Sequence, residues 1–243
     1  MAHAIYAQLA PWYDLLDPVE DHADEAAQYR EIFTQGGKGG CTLLELGAGA
    51  GNAAAFLQPD FQCTLADLSP QMQAISKAQN PHAEHVLGDM RSLRLERTFD
   101  AVLIHDAIVY MLTEADVLAA LKTAFVHLRP GGTAVFAPDC TKESFHEVTE
   151  LEEGNDGTRA MRALAWMYDP DPSDSTYTVD YAFLLKDGAE VKAVHDRHIE
   201  GLFSDQTWRR LIKEAGFDVE VAPREVEPGP YVDHIYVGRR PKR

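Results

Sequence analysis

The chain has 243 residues and a formal net charge of −17, from 39 acids against 22 lysines and arginines. Phosphate binding needs clustered positive charge, so this balance excludes a nucleic-acid substrate. The length suits one large domain or a domain carrying an insertion, with neither a signal-peptide pattern nor an apolar run of 18 residues, so we expect a cytoplasmic protein without a membrane partner.

In chain order the first sharp element is Leu43-Leu-Glu-Leu-Gly-Ala-Gly-Ala-Gly51. An apolar run reads as a buried strand, and Asn52-Ala-Ala-Ala-Phe-Leu57 reads as the start of a helix. A strand, a glycine turn and a helix is how an open α/β sheet receives a nucleotide. The dinucleotide fingerprint is G-x-G-x-x-G, whereas this turn is E-x-G-x-G-x-G. The acid before the first glycine would repel a pyrophosphate but would accept a hydrogen bond from an ammonium group. A ligand with a cationic amino-acid end therefore fits better than a dinucleotide.

Phe61-Gln-Cys-Thr-Leu-Ala-Asp67 follows as a second strand ending in an acid suited to two ribose hydroxyls. Ser69 then caps a helix with Pro70 at its first position. Val86-Leu-Gly-Asp-Met90 is a short third strand and Phe99–His105 a fourth. Leu128-Arg-Pro-Gly-Gly-Thr-Ala-Val-Phe136 is a helix end, a turn and a fifth strand. Ser204 to Gly216 is a capped amphipathic helix, and Phe217 to Ala222 and Tyr231 to Arg239 are the last two strands, joined by a surface loop from Pro223 to Pro230. Cys41 and Cys63 read as small core residues; with Cys140 they suggest neither a disulfide framework nor a zinc site.

Five motifs in this order and spacing resemble the class I S-adenosylmethionine-dependent methyltransferases over residues 41 to 139. The resemblance implies a Rossmann-like α/β fold, with a seven-stranded, mostly parallel sheet whose last strand is antiparallel. It implies S-adenosyl-L-methionine as cofactor, with S-adenosyl-L-homocysteine as product. Glu45, Gly47, Gly49 and Gly51 would hold the methionine end, Asp67 the ribose, and Asp89 and Met90 would flank the adenine, with Ala48, Leu68 and Met72 as further cofactor contacts. His105 would lie beside the methionine and sulfonium. The segment from Tyr6 to Leu16, within an N-terminal unit of residues 1–40, looks like the helical lid of small-molecule members, with Tyr6 and Tyr13 as its cofactor contacts.

Residues 140–201 interrupt the main domain, which would comprise 41–139 and 202–243. Three strands are expected there, Thr158 to Tyr168, Thr176 to Lys186 and Ala189 to Glu200, with Asp187-Gly188 as a hairpin turn. An antiparallel sheet at this point resembles small-molecule members, including amino-sugar N-methyltransferases, where it roofs the acceptor pocket and takes part in dimer contacts. A small-molecule methyl acceptor and a homodimer are thus the implied partners.

An amine acceptor needs only to lose a proton, whereas a hydroxyl normally needs a general base. His105, Asp106 and Tyr110 after strand four, Asp139 after strand five, and His198 with Tyr177 or Tyr181 from the roof are the candidates. Each has a plainer reading: His105 offering only backbone, Asp106 capping a turn, the tyrosines lining a half-buried strand. His195 and His198 lie three apart on a strand and point to opposite faces, so no shared metal is expected. The expected function is methyl transfer to nitrogen or oxygen of a small polar metabolite. A nicotinamide oxidoreductase and a non-catalytic cofactor-binding module are the alternatives.

Overall fold

The computed structural model describes residues 3–34, 42–224 and 231–242. Cys41 and most of the expected Pro223–Pro230 loop lie outside the described residues. The main sheet contains β1 (Thr42–Leu46), β2 (Gln62–Asp67), β3 (Glu84–Leu87), β4 (Phe99–His105), β5 (Leu128–Ala137), β10 (Asp218–Pro223) and β11 (His234–Arg239). Its order is β10-β11-β5-β4-β1-β2-β3. The strands from β5 to β3 pair in parallel, and β11 runs antiparallel to both of its neighbours. The expected fold class is the one observed.

Strand alternation sends successive side chains to opposite faces, and each face has its own helical cover. Leu44, Leu46, Val102 and Ile104 pack with α5 (Glu114–His127) and α6 (Asp205–Glu214). Leu43, Leu65, Leu103 and Val135 pack with α2 (Ala23–Thr34) and α3 (Asn52–Leu57). Glu45 and His105 have the parity of Leu43 and Leu103, so both face the α2 side at the carboxyl edge of the sheet. Caps are as expected: Ser69 accepts from Met72 N–H at 3.2 Å to start α4 (Pro70–Gln79), and Ser204 accepts from Thr207 N–H at 3.1 Å to start α6.

Three expectations need correction. The third strand covers Glu84–Leu87 and stops before Gly88, which instead donates to the Asp67 carbonyl at the end of β2. The inserted sheet has four strands: β6 (Val148–Asn155), β7 (Arg159–Tyr168), β8 (Thr176–Asp187) and β9 (Glu190–Gly201). The missed strand, β6, has three acids, Glu150, Glu152 and Glu153, and little apolar alternation; pairing with β7 along its whole length supplies the order that its own sequence does not. The β8–β9 turn is Gly188-Ala189, one residue later than expected.

Residues of the N-terminal unit fill the gap between the two sheets. Ile5, Leu9 and Leu15, the last within α1 (Tyr13–Leu16), pack on Met161, Phe183 and Leu185 of the inserted sheet. Ala10, Tyr6 and Tyr13 pack on Ala50 and Met72 of the main domain. Among the described residues no helix is long and apolar enough to cross a membrane.

Candidate active site

The glycine turn leaves β1 with Gly47, Gly49 and Gly51 all at positive φ. A Cβ on Gly47 would lie 2.5 Å from Ala107 Cβ and 2.7 Å from Met90 Cε, and one on Gly51 would meet Asn80 and Ser76. A Cβ on Gly49 would meet nothing nearer than Met72 Cε at 3.9 Å. Two glycines are therefore required by the protein's own packing, while the middle one lies bare beside open space. Its N–H donates to Asp67 Oδ2 at 2.8 Å, and Ser69 N–H donates to Oδ1 at 2.7 Å, which holds that carboxylate at the turn.

Glu45 is fully buried, and neither carboxylate oxygen has a hydrogen-bond partner. A buried carboxylate without hydrogen bonds is costly. Its neighbour is His105, whose Nε2 stands 3.5 Å from Oε1; on the other side His105 Nδ1 is 3.0 Å from Asp106 Oδ2. Burial pulls the imidazole pKa down, but Asp106 and Glu45 outweigh it and hold it well above the ordinary range. Both ring nitrogens of His105 thus face carboxylates, an arrangement that favours the charged ring over a free base. Asp106 itself has φ +33°, an uncommon conformation for a residue with a side chain, of the kind that clusters at functional sites.

Other expected residues are placed unevenly. Leu68 is 67% exposed beside Asp67 and offers an apolar surface. Met90 reaches Gly47, while Asp89 is taken up by a fork of bonds from Arg91 and is held below the usual carboxylate range by it. Met72 is buried beneath the turn and Ala48 is nearly so.

On the opposite side a hydrogen-bonded chain joins three elements. Tyr6 and Tyr110 hydroxyls lie 2.9 Å apart, Tyr110 is 2.9 Å from His198 Nδ1, and His198 Nε2 is 3.2 Å from Asp196 Oδ2. With Nε2–H donated to Asp196, Nδ1 is left to accept from Tyr110. His195 points away to the surface and pairs with Asp180 at 2.7 Å, as strand alternation requires. His3, which the sequence did not single out, lies with its ring 3.9 Å from that of His198. His3, Asp196 and His198 offer three ligand atoms within 4.8 Å of one another. Two imidazoles sharing an ion at about 2.1 Å keep their centroids about 5 Å apart, so this contact is ring packing.

Sequence reasoning also missed His22, Glu25 and Asp17. His22 donates from Nδ1 to Glu25 and from Nε2 to Asp17, each at 2.7 Å. Asp17 in turn accepts from Tyr13 at 2.6 Å and from Asn52 at 3.0 Å, which ties the lid to α3. Burial lowers the His22 pKa, but its two acids outweigh that and raise it to about 10. A raised folded-state pKa contributes stability that is complete below about pH 6.5 and lost as pH rises through the folded value. His22→Ala is therefore expected to destabilise the protein by about 2 kcal/mol at pH 6. The difference from wild type should shrink toward pH 10; urea melts giving a pH-independent difference would refute the assignment.

Residues 43–132 match a family described as Methyltransferase domain. The chain is 28% identical over 233 residues to dTDP-3-amino-3,4,6-trideoxy-alpha-D-glucopyranose N,N-dimethyltransferase of Streptomyces venezuelae, covering 93% of this chain and 95% of that one. The crystal structure of Streptomyces venezuelae DesVI superposes with a TM-score of 0.80 at 25% identity, over 91% of this chain and 92% of that one. This chain is a class I S-adenosylmethionine-dependent methyltransferase. Its fold is also that of SAM-bound CalS10, an amino pentose methyltransferase from Micromonospora echinaspora, with a TM-score of 0.78 at 22% identity over 90% and 91% of the two chains. S-adenosylmethionine is the methyltransferase's cofactor, and the orphaned Glu45 carboxylate and the bare Gly49 fit its ammonium end.

Proposed function

We propose that the methyltransferase acts on the amino nitrogen of a small sugar-like acceptor, and that the Tyr110–His198–Asp196 chain removes the nitrogen's proton. The hydrogen-bonded chain from Tyr6 through Tyr110 to His198 is the observation that carries this reading, because it ends at a ring nitrogen able to accept. An N,N-dimethyltransferase of amino sugars among the relatives supports nitrogen over oxygen.

In this reading Glu45 accepts hydrogen bonds from the cofactor's ammonium group, Asp67 takes the ribose hydroxyls, and Leu68 and Met90 contact the adenine. Glycines 47 and 49 with Ala48 let the turn approach the methionine end, over which Tyr6 and Tyr13 are held by the lid. When bound, S-adenosylmethionine supplies a methyl group on a sulfonium, which the nitrogen displaces in line while the S–C electron pair stays on sulfur. The acceptor arrives as an ammonium. Its proton passes to the Tyr110 oxygen as the Tyr110 hydrogen moves to His198 Nδ1, and Asp196 stabilises the imidazolium that forms. His105, set between Glu45 and Asp106, serves as a fixed cation that holds Asp106 in place.

A cytoplasmic homodimer completes the reading. The buried free thiols of Cys63 and Cys140 suit a reducing compartment. Leu151, Trp166, Leu184 and Val191 stand exposed on the outer face of the inserted sheet, and this supports pairing through that face.

Tyr110→Phe tests the mechanism: kcat for methyl transfer to an amino sugar should fall about 100-fold, while S-adenosylhomocysteine affinity stays within about twofold. A kcat within threefold of wild type would remove the relay.

A further inference from the structure

The N-terminal unit touches the acceptor side as well as the cofactor side. Tyr6 N–H and Ala7 N–H bond back to the carbonyls of His3 and Ala4, at 3.2 and 3.1 Å, which winds residues 3–7 into consecutive turns. Two anchors hold those turns. Ile5 is 2% exposed and packs on Met161, Phe183 and Leu185 of the inserted sheet. From the main domain, Ser69 Oγ donates to the Tyr6 carbonyl at 2.6 Å.

His3 is thereby fixed against the Tyr110–His198 pair. Its ring lies 3.9 Å, centroid to centroid, from that of His198 and 5.0 Å from that of Tyr110, tilted by 38° and 32°. One ring thus packs on both partners of the 2.9 Å contact between Tyr110 and His198 Nδ1. Ile5 N–H donates at 3.2 Å to Asp196 Oδ2, the same oxygen that stands 3.2 Å from His198 Nε2. From the neighbouring strand β8, Tyr181 meets the imidazole edge-to-face at 4.9 Å.

The imidazole has a competing partner. Glu200 lies two residues further along β9, on the same face, and its Oε1 is 3.7 Å from His198 Nδ1, too far for a hydrogen bond. A rotation of the ring toward Glu200 would commit Nδ1 as a donor, and it could then no longer accept from Tyr110. A bond to a carboxylate is stronger than one to a neutral hydroxyl, so a loosely held ring would favour Glu200. Close packing against the His3 ring opposes that rotation.

We propose that His3 is a positioning residue for methyl transfer, whose ring holds the His198 imidazole where Nδ1 meets Tyr110 and away from Glu200. This rests on the proton-removing role of Tyr110 and His198. His3 acts through its shape, so another flat ring should serve in its place.

Two measurements test it. The first is methyl transfer from S-adenosylmethionine to 3-amino-3-deoxyglucose or its dTDP-linked form. His3→Ala should lower kcat about tenfold, with S-adenosylhomocysteine affinity within about twofold, and His3→Phe should bring kcat back to within about threefold of wild type. In a Tyr110→Phe background His3→Ala should cause no further loss, because the contact it serves is already gone. The second is imidazole nitrogen NMR, with the His198 signals identified by their absence in His198→Ala. Nδ1 should be free of hydrogen in wild type and His3→Phe, and should carry one in a measurable fraction of His3→Ala. Where neither sugar is methylated, this spectrum decides alone. Wild-type kcat and an unchanged nitrogen spectrum in His3→Ala overturn the inference and leave the proton-removing pair standing. Losses that add to that of Tyr110→Phe also overturn it, since His3 would then be a structural residue only. An Nδ1 that already carries hydrogen in wild type overturns the proton-removal reading, and this inference with it.

Discussion

Glu45→Gln will weaken S-adenosylhomocysteine binding by about 10- to 100-fold, or about 1.4 to 2.8 kcal/mol. Glutamine keeps the size and one acceptor but loses the charge. The wild-type carboxylate is fully buried with neither oxygen hydrogen-bonded, so its desolvation cost is already spent in the folded chain. A cationic ligand recovers that cost as charge-assisted hydrogen bonds. Titration calorimetry reads the effect directly. An unchanged Kd would mean that Glu45 serves His105 alone, 3.5 Å away, and that the ammonium is held elsewhere.

Gly51→Ala should unfold more easily by about 2 to 4 kcal/mol. An L side chain at φ +76° is strained by about 1 to 2 kcal/mol. The new Cβ would also fall 2.4 Å from Asn80 Nδ2 and 2.6 Å from Ser76 Oγ. Asn80 is fully buried and donates to the Gly51 carbonyl at 3.0 Å, so moving it breaks a bond worth about 1 to 3 kcal/mol to leave unmade. Gly49→Ala is the control: its Cβ meets only Met72 at 3.9 Å, so it should cost only the conformational strain of φ +53°, about 1 to 2 kcal/mol of stability. Its larger effect should be on cofactor affinity. Chemical denaturation of both variants separates the two roles, and equal losses would refute the division.

These two predictions mark the division of labour along one turn. Glycine supplies conformation at position 51 and space at position 49, and only the packing of Asn80, Ser76 and Met72 tells them apart. The glycine spacing and the acid before the first glycine disfavoured a dinucleotide, and the resemblance carried by five motifs named the cofactor. The same local logic located β2, β4, α4 and α6, because each carries its own apolar run or cap.

What sequence could not supply was assembly across distance. β6 has little alternation and exists through its pairing with β7. Asp196, His198 and Glu200 alternate on one face of β9, a polar triplet on a buried side that was a legible signal. Their partners Tyr110 and Tyr6 are 88 and 192 residues away from His198 in sequence, or nearly so, and no local pattern joins them. His22 shows the same limit, since its acids at i−5 and i+3 converge only because a turn precedes α2. Periodicity, caps and glycine spacing act within a few residues, so they determined the strands and the turn, while the cofactor class came from the resemblance that the ordered motifs carry. The two carboxylates beside His105 and the hydrogen-bonded chain from Tyr6 to His198 bring together groups from separate elements, and only the tertiary structure decided them.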